Sequence, residues 1–239
     1  PRQGNFDVVF NEILKGIPKD VHLIVNGDDP ILKKFSLYHS DITYFGIEKS
    51  KYSYKERDDI KDYNKIPIGI YRNSLKTAFI DFTNFPIFAI SATRLDSLNP
   101  FMESLMTVVS HIKNCTVVFL DIQKQIPNVR TICRNYYDDS FESIVNELIK
   151  IEQNPDNKNN HYIYILHGVE KLKSKLENMT VMETLVTEIK KTEHSHMIMT
   201  DSSKALKSMD YDNWFMSARN STDGLWIGRG FGDQQIFRI

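Results

Sequence analysis

Phe88-Ala-Ile-Ser-Ala-Thr-Arg-Leu-Asp-Ser-Leu-Asn-Pro-Phe-Met-Glu-Ser-Leu-Met106 is the stretch that organises the rest of the chain. Leading into it, Pro86-Ile-Phe-Ala-Ile90 is a short apolar run of strand type. Asn99 followed by Pro100 predicts a helix start, with asparagine as N-cap and proline at the first helical position. Phe101, Met102, Leu105, Val108, Val109 and Ile112 then recur at helical spacing. The predicted unit is strand, loop, helix, with the loop running from Ser91 to Leu98.

A phosphate-binding loop would sit in such a unit. Its pattern, G-x-x-x-x-G-K-[ST], uses glycines so that backbone amides can curl round phosphate, lysine to meet the β/γ-phosphates, and a hydroxyl to hold magnesium. Aligned from the strand end, the corresponding residues are Ser91, Ala92, Thr93, Arg94, Leu95, Asp96, Ser97 and Leu98. Ser91 stands for the first glycine, Asp96 for the second, Ser97 for the lysine and Leu98 for the hydroxyl. Asp96 is the least compatible. A carboxylate about 4 Å from a phosphate costs on the order of 4 kcal/mol at an effective dielectric near 20, or nearly three decades of affinity. Arg94 offsets part of that charge from a different point of the loop.

Composition sets the outer bounds. A chain of 239 residues can bury a sizeable core as one large domain or one domain plus an extension. Its 30 Lys+Arg against 31 Asp+Glu argue against a general nucleic-acid or anionic-membrane binder. No apolar run approaches a membrane span and no signal peptide is visible. The Pro1-Arg2 start reads as a cut from something longer, whose other segments are open. Cys115 and Cys133 lie in no metal-ligand spacing and read as reduced thiols.

Working outward, Phe6 to Leu14 predicts a short amphipathic helix, Val21 to Asn26 a strand, Ile31 to Leu37 a helix and Ile42 to Phe45 a second strand. Ser50 to Lys65 is charged and tyrosine-rich and marks the boundary, giving an extension or linker over 1–64 and a main domain over 65–239. Ile66-Pro-Ile-Gly-Ile70 and Thr77 to Phe82 are short strands. Thr116 to Asp121, His161 to Leu166 and His196 to Thr200 are stronger ones. Between them fall a helix over Ser140 to Ile151, helical patterns to Leu176, and another from Val181 to Lys191. This alternation predicts an α/β fold with a mainly parallel sheet and helices on both faces. Gly224-Leu-Trp-Ile-Gly228 and Gln234 to Ile239 read as a C-terminal β-hairpin closing one sheet edge.

Taken together, these landmarks resemble the FtsK/SpoIIIE-type ATPases, over about Lys65 to Ile239. Within them the chain is most similar to the last ATPase domain of the EssC-type coupling proteins of type VII secretion. The I-P-I-G-I run and the G-L-W-I-G…Asp233-Gln234 framing carry the likeness. The resemblance implies a P-loop NTPase-like (RecA/FtsK-like) fold, with ATP and magnesium as the family's cofactors. It implies secreted WXG-type substrates or their export signals as partners, preceding ATPase domains in the same chain, and a hexamer in the full protein. It also implies a cytoplasmic position in a protein anchored in a bacterial membrane, with no nucleic acid.

The departures from that family carry the mechanism. Its Walker B strand ends in Asp-Glu, the first ordering magnesium and the second polarising water. Here Ile163-Tyr-Ile-Leu166 is followed by His167 and Gly168. Glu170, two residues on, is a substitute acid or an exposed residue of a helix's first turn. Asp201 occupies the sensor-type position, and Thr200-Asp-Ser-Ser203 also reads as a helix N-cap. The expectation is an ATPase scaffold without turnover, without bound cofactor, serving recognition and regulation. The alternative is a weak ATPase completed by Arg94 and a neighbouring subunit.

Recognition then falls to surface. Met179, Met182 and Leu185 are a candidate adaptable face or core. Tyr136-Tyr-Asp-Asp139 and Tyr211-Asp-Asn-Trp214 suit a partner rim; Trp214 with Phe215 reads as core, and so does Trp226. Of the histidines only His194 and His196 are ligand-spaced. As an i, i+2 pair leading into a strand, with no larger ligand-spaced cluster around them, they do not predict zinc. No nucleophile elbow or triad is visible.

Overall fold

The computed structural model describes residues 23–26, 42–45, 62–70, 76–219 and 222–228. The chain divides into two compact units, Pro1–Asp59 and Ile60–Ile239. In the first, β1 (Leu23–Asn26) pairs in parallel with β2 (Ile42–Phe45). The helices expected over Phe6 to Leu14 and Ile31 to Leu37 lie outside the described residues.

The second unit carries the site. Its strands are β3 (Lys65–Ile70), β4 (Thr77–Asp81), β5 (Ile87–Ala92), β6 (Cys115–Asp121), β7 (Asn135–Tyr137), β8 (His161–His167), β9 (Ser195–Ser202) and β10 (Thr222–Ile227). β3 and β4 form a separate antiparallel pair. The other six make one sheet in the order β10-β5-β9-β8-β6-β7, with every neighbouring pair parallel. β5 is buried along its whole length, β8 and β9 along nearly all of theirs. Burial on both faces is why they read as continuous apolar runs rather than alternating ones.

The helices are α1 (Asn99–Val109), α2 (Phe141–Gln153), α3 (Thr180–Lys191), α4 (Ser203–Ser208) and α5 (Asn213–Arg219). On one face α1 packs Met102, Leu105, Met106 and Val109 with Ile163, Ile165 and Ile198 of the sheet and Ile66 and Ile80 of the β3–β4 pair. On the other, Val145 and Leu148 of α2, Met182, Leu185 and Val186 of α3, and Trp214 and Phe215 of α5 meet Tyr164, Leu166, Met197 and Met199. Trp214 and Phe215 are therefore core. So are Met182 and Leu185, with Met179 packed half-buried beside them, which removes them as a docking face.

The connections position the site. From β5 the chain runs through α1 past β9 and β8 to β6. From β9, adjacent to β5, it leaves through α4 and α5 on the other face, past β5, to β10. Such divergence of two neighbouring strands opens a crevice at their carboxyl ends, the usual ligand position in open α/β sheets.

Three local expectations change. Asn99 is the first residue of α1 rather than its cap, because a 3₁₀ turn over Leu95–Leu98 runs straight into the helix and leaves Leu98 at the cap with no side-chain bond. The expected terminal hairpin has its first arm in β10, which closes the sheet edge parallel to β5; the second arm lies outside the described residues. Trp226, expected in the core, is half-buried on that edge strand.

Candidate functional site

The carboxyl ends of β5, β6, β8 and β9 bring Ser91, Asp121, His167 and Asp201 together as buried polar residues. Each is committed to a neighbour. Ser91 Oγ donates to the Asp201 carbonyl at 3.0 Å, tying β5 to β9. Ala92 is fully buried behind it, and Thr93 is exposed.

The rest of the loop turns inward on itself. Arg94 grips Asp96 with two hydrogen bonds, Nε to Oδ1 at 3.0 Å and a second to Oδ2 at 2.5 Å. Leu95 and Leu98 enter the core. The Ser97 amide donates to the Arg94 carbonyl at 3.2 Å, and the Asn99 amide to that of Asp96. These are amides that a phosphate cradle would need aimed outward. Ser97 itself is exposed, and the Asn99 side chain leaves Oδ1 buried without a partner.

At the end of β8, His167 is fully buried and its Nδ1 lies 2.7 Å from Thr200 Oγ1. Thr200 Oγ1 is placed to donate to the Leu166 carbonyl, so Nδ1–H is the donor and Nε2 is bare and unpartnered. Burial holds the imidazole down to about 4 against the pull of nearby Asp121, so it is neutral at physiological pH. Gly168 follows at φ +81°, where a Cβ would stand 2.7 Å from Gln123 Cγ. This is a position only glycine fills without strain.

Asp201 does not cap its own helix; Ser202 does, accepting from the Ala205 amide at 3.2 Å. Asp201 reaches instead to the Glu170 amide at 3.0 Å and the Ser202 amide at 2.7 Å. Burial pushes its carboxyl up to about 6, and those two amides resist the shift. Glu170 opens a 3₁₀ turn over Val169–Ser174, with its own carboxylate exposed beside Lys171 at 3.8 Å. Asp121 accepts from the Gln125 and Ile126 amides at 3.0 and 2.8 Å and from the Tyr136 hydroxyl at 2.8 Å. Tyr136 is thus half-buried, its phenol pushed up by burial and by that carboxylate, and not a free rim residue.

The fit to a magnesium triphosphate follows from this donor set. The Arg94 guanidinium is neutralised by Asp96, Leu98 is buried in the core, and the end of β8 offers a neutral histidine and a glycine. These residues do not fit that group. Among the described residues no cluster of three or more His, Cys, Asp or Glu could hold a metal ion.

Sequence reasoning missed a second polar cluster at the amino ends of β8 and β9. Glu152, buried at the end of α2, accepts from the Tyr164 hydroxyl, from Ser195 Oγ at 2.8 Å and from Thr192 Oγ1 at 3.4 Å. Its Oε2 lies 3.8 Å from His194 Nε2, so an acid does stand near the His194/His196 pair. Only the stray acid among the helix's last residues signalled it.

No family model matches the sequence, and no curated protein matches it. Solved structures do. EssC (ATPases 2 and 3) from Geobacillus thermodenitrificans superposes with TM-score 0.60 at 10% identity, over 74% of this chain and 36% of that one. The cytoplasmic domain of the Thermomonospora curvata type VII secretion ATPase EccC gives 0.55 at 15%, over 73% and 23%. EccC (ATPases 2 and 3) from the same organism, in complex with a signal sequence peptide, gives 0.53 at 16%, over 73% and 35%. The fold is α/β and P-loop NTPase-like. The chain spans between about a quarter and a third of these solved chains. At such identities the likeness bears on the fold of the chain alone. Among the described residues no helix is long and apolar enough to cross a membrane.

Proposed function

We propose that this chain is an ATPase-type domain of a type VII secretion motor, of the EssC kind and in its last position, whose nucleotide site has become structural. On this reading it recognises export substrates and regulates the motor without turning over ATP. The loop from Ser91 to Leu98 carries the reading: its one cation is spent on Asp96 and its amides close a 3₁₀ turn. Substrate recognition is supported by the EccC structure that holds a signal sequence peptide. A WXG-type secreted protein or its export signal is the matching ligand class. The preceding ATPase domains, a hexamer, and a position on the cytoplasmic side of the membrane belong to the same proposal. Nucleic acid does not, given the balanced charge.

Calorimetric titration with Mg-ATP tests it, with Asp96→Gly/Ser97→Lys as comparison. The natural sequence is expected to give no heat and no thermal stabilisation at millimolar nucleotide. A ligand at a hundred times its Kd would add about 2.7 kcal/mol of stability, so micromolar binding is easily seen. Micromolar binding by the natural sequence overturns the reading in favour of a site completed by a neighbouring subunit.

A further inference from the structure

The β3–β4 pair shares no backbone ladder with the six-stranded sheet and is held on it by side chains. At one edge of that contact the hold is a ring stack. Tyr63 lies on His161, with ring centroids 3.6 Å apart and planes inclined by 21°, and within 5.6 Å of His196. Phe82, just past β4, stacks against His196 at 4.3 Å and 5°. Asn64 closes the set: its Oδ1 receives His196 Nε2–H at 2.8 Å, and its carbonyl receives the Phe82 amide at 2.8 Å. His196 is therefore buried as a neutral ring whose other nitrogen, Nδ1, has no partner. The Nδ1 of His161 is in the same condition.

We propose that His161 and His196, with His194 beside them, form an acid-sensitive latch that holds the β3–β4 hairpin and its entering turn on the sheet. A proton on either stacked ring has no acceptor within the latch. Tyr63 and Phe82 present apolar ring faces, Asn64 is already receiving, and the second histidine repels the charge. The charged and titratable groups around the stack do not rescue it. Asp62 is turned to the Asn64 amide at 2.9 Å, and Lys65 faces Asp81 at 3.6 Å on the hairpin. Cys115, level with His161 on β6, is a neutral thiol that burial has pushed up to about 12. Glu152 faces His194, its Oε2 3.8 Å from Nε2, and receives the Tyr164, Ser195 and Thr192 hydroxyls; it makes no contact with the two stacked rings.

The sign is fixed by linkage. Burial, with His161 and His194 adding to it, holds His196 down to about 4, and His161 is lowered in the same way by burial and by His194. Both are neutral and silent above their free value of about 6.5. As pH falls through that value the released state takes up protons that the docked state refuses, and docking weakens until the docked value is reached. At pH 5 the opening equilibrium rises on the order of thirtyfold through His196 alone.

Hydrogen exchange of the full chain at pH 7.5 and pH 5.0, corrected for intrinsic rates, reads this directly. The amides of Ile66 and Ile80 are expected to lose protection at pH 5.0 by at least tenfold, while those of Ile163 to Leu166 and Ile198 keep theirs. His161→Phe/His196→Phe keeps the rings stacked and is expected to abolish the difference. Unchanged protection of the hairpin, loss shared equally by the central strands, or a pH effect that survives the double variant would each overturn the latch. If the double variant does not fold, titration of the wild-type histidine ring protons decides: ordinary values near 6.5 for both His161 and His196 overturn it.

Discussion

At the carboxyl ends of β8 and β9, Asp201 takes the amides of Glu170 and Ser202, and His167 takes Thr200. At the amino ends of the same two strands, Glu152 takes the hydroxyls of Tyr164 and Ser195, and His196 takes Asn64. Both ends bury ionisable groups, and they bind different things with them. At the carboxyl end the two carboxylates, Asp121 and Asp201, take mainly backbone amides of the loops that leave the sheet, so their effect is to fix loop shape. The amino end binds side chains from a helix and a hairpin, so its effect is to fix whole elements. In a working P-loop site the carboxyl end must keep donors free for phosphate and magnesium. Here the Arg94 guanidinium and the Ser97 and Asn99 amides are engaged within their own loop.

The largest test of that contrast is Glu152→Ala. It strands two buried hydroxyls and removes the buried carboxylate 3.8 Å from His194, so a loss of about 3–5 kcal/mol is expected in urea unfolding. Glu152→Gln keeps one carbonyl acceptor and should lose clearly less. A loss below about 1 kcal/mol for the alanine variant would mean that water replaces the carboxylate, and that the amino end is not a fixed joint.

How far these two ends could be read in advance differs for a physical reason. β5, β8 and β9 were legible because strands buried on both faces need continuous apolar runs. The loop from Ser91 to Leu98 and the pair His167-Gly168 were placed at strand ends by counting along the sequence, and β5 and β8 do end there. Partners were not legible. Asp201 looked like a cap for the helix beside it, and Ser202 took that role. Asp201 instead caps a turn 31 residues upstream. The Asn99-Pro100 signal failed because the preceding loop is already a 3₁₀ turn, which leaves no non-helical cap residue to receive the amides. Glu152 and the three histidines come together only once β8 and β9 pair, and no spacing in the sequence encodes that. Tyr211 shows the complementary case: its local context suggested a rim, and it is 92% exposed on a turn.

Next in size is Gly168→Ala, at the carboxyl end. The left-handed backbone costs about 1–3 kcal/mol with a side chain, and the new methyl meets Gln123 at 2.7 Å. Adding Gln123→Ala should relieve the contact and leave the backbone cost. Full rescue by that second change would mean the loop relaxes out of positive φ, so that the carboxyl end holds shape less firmly than its hydrogen bonds imply. A loss exceeding that of Glu152→Ala would reverse the ranking of the two ends.

The smallest effect is expected at the loop that decides the functional reading. Arg94 and Asp96 are 75% and 50% exposed as side chains, so their pair sits in water and contributes little to stability. Arg94→Ala and Asp96→Ala should each change unfolding by less than about 0.5 kcal/mol. The useful distinction is in binding. Asp96→Ala frees the guanidinium, yet the Ser97 and Asn99 amides stay in their turn and Leu98 stays in the core, so Mg-ATP should still give no heat. If that one change were enough to bring nucleotide in, the ion pair would be a plug over a competent cradle. Continued silence, with Asp96→Gly/Ser97→Lys also silent, would locate the loss in the backbone turn itself, beyond the reach of side-chain repair.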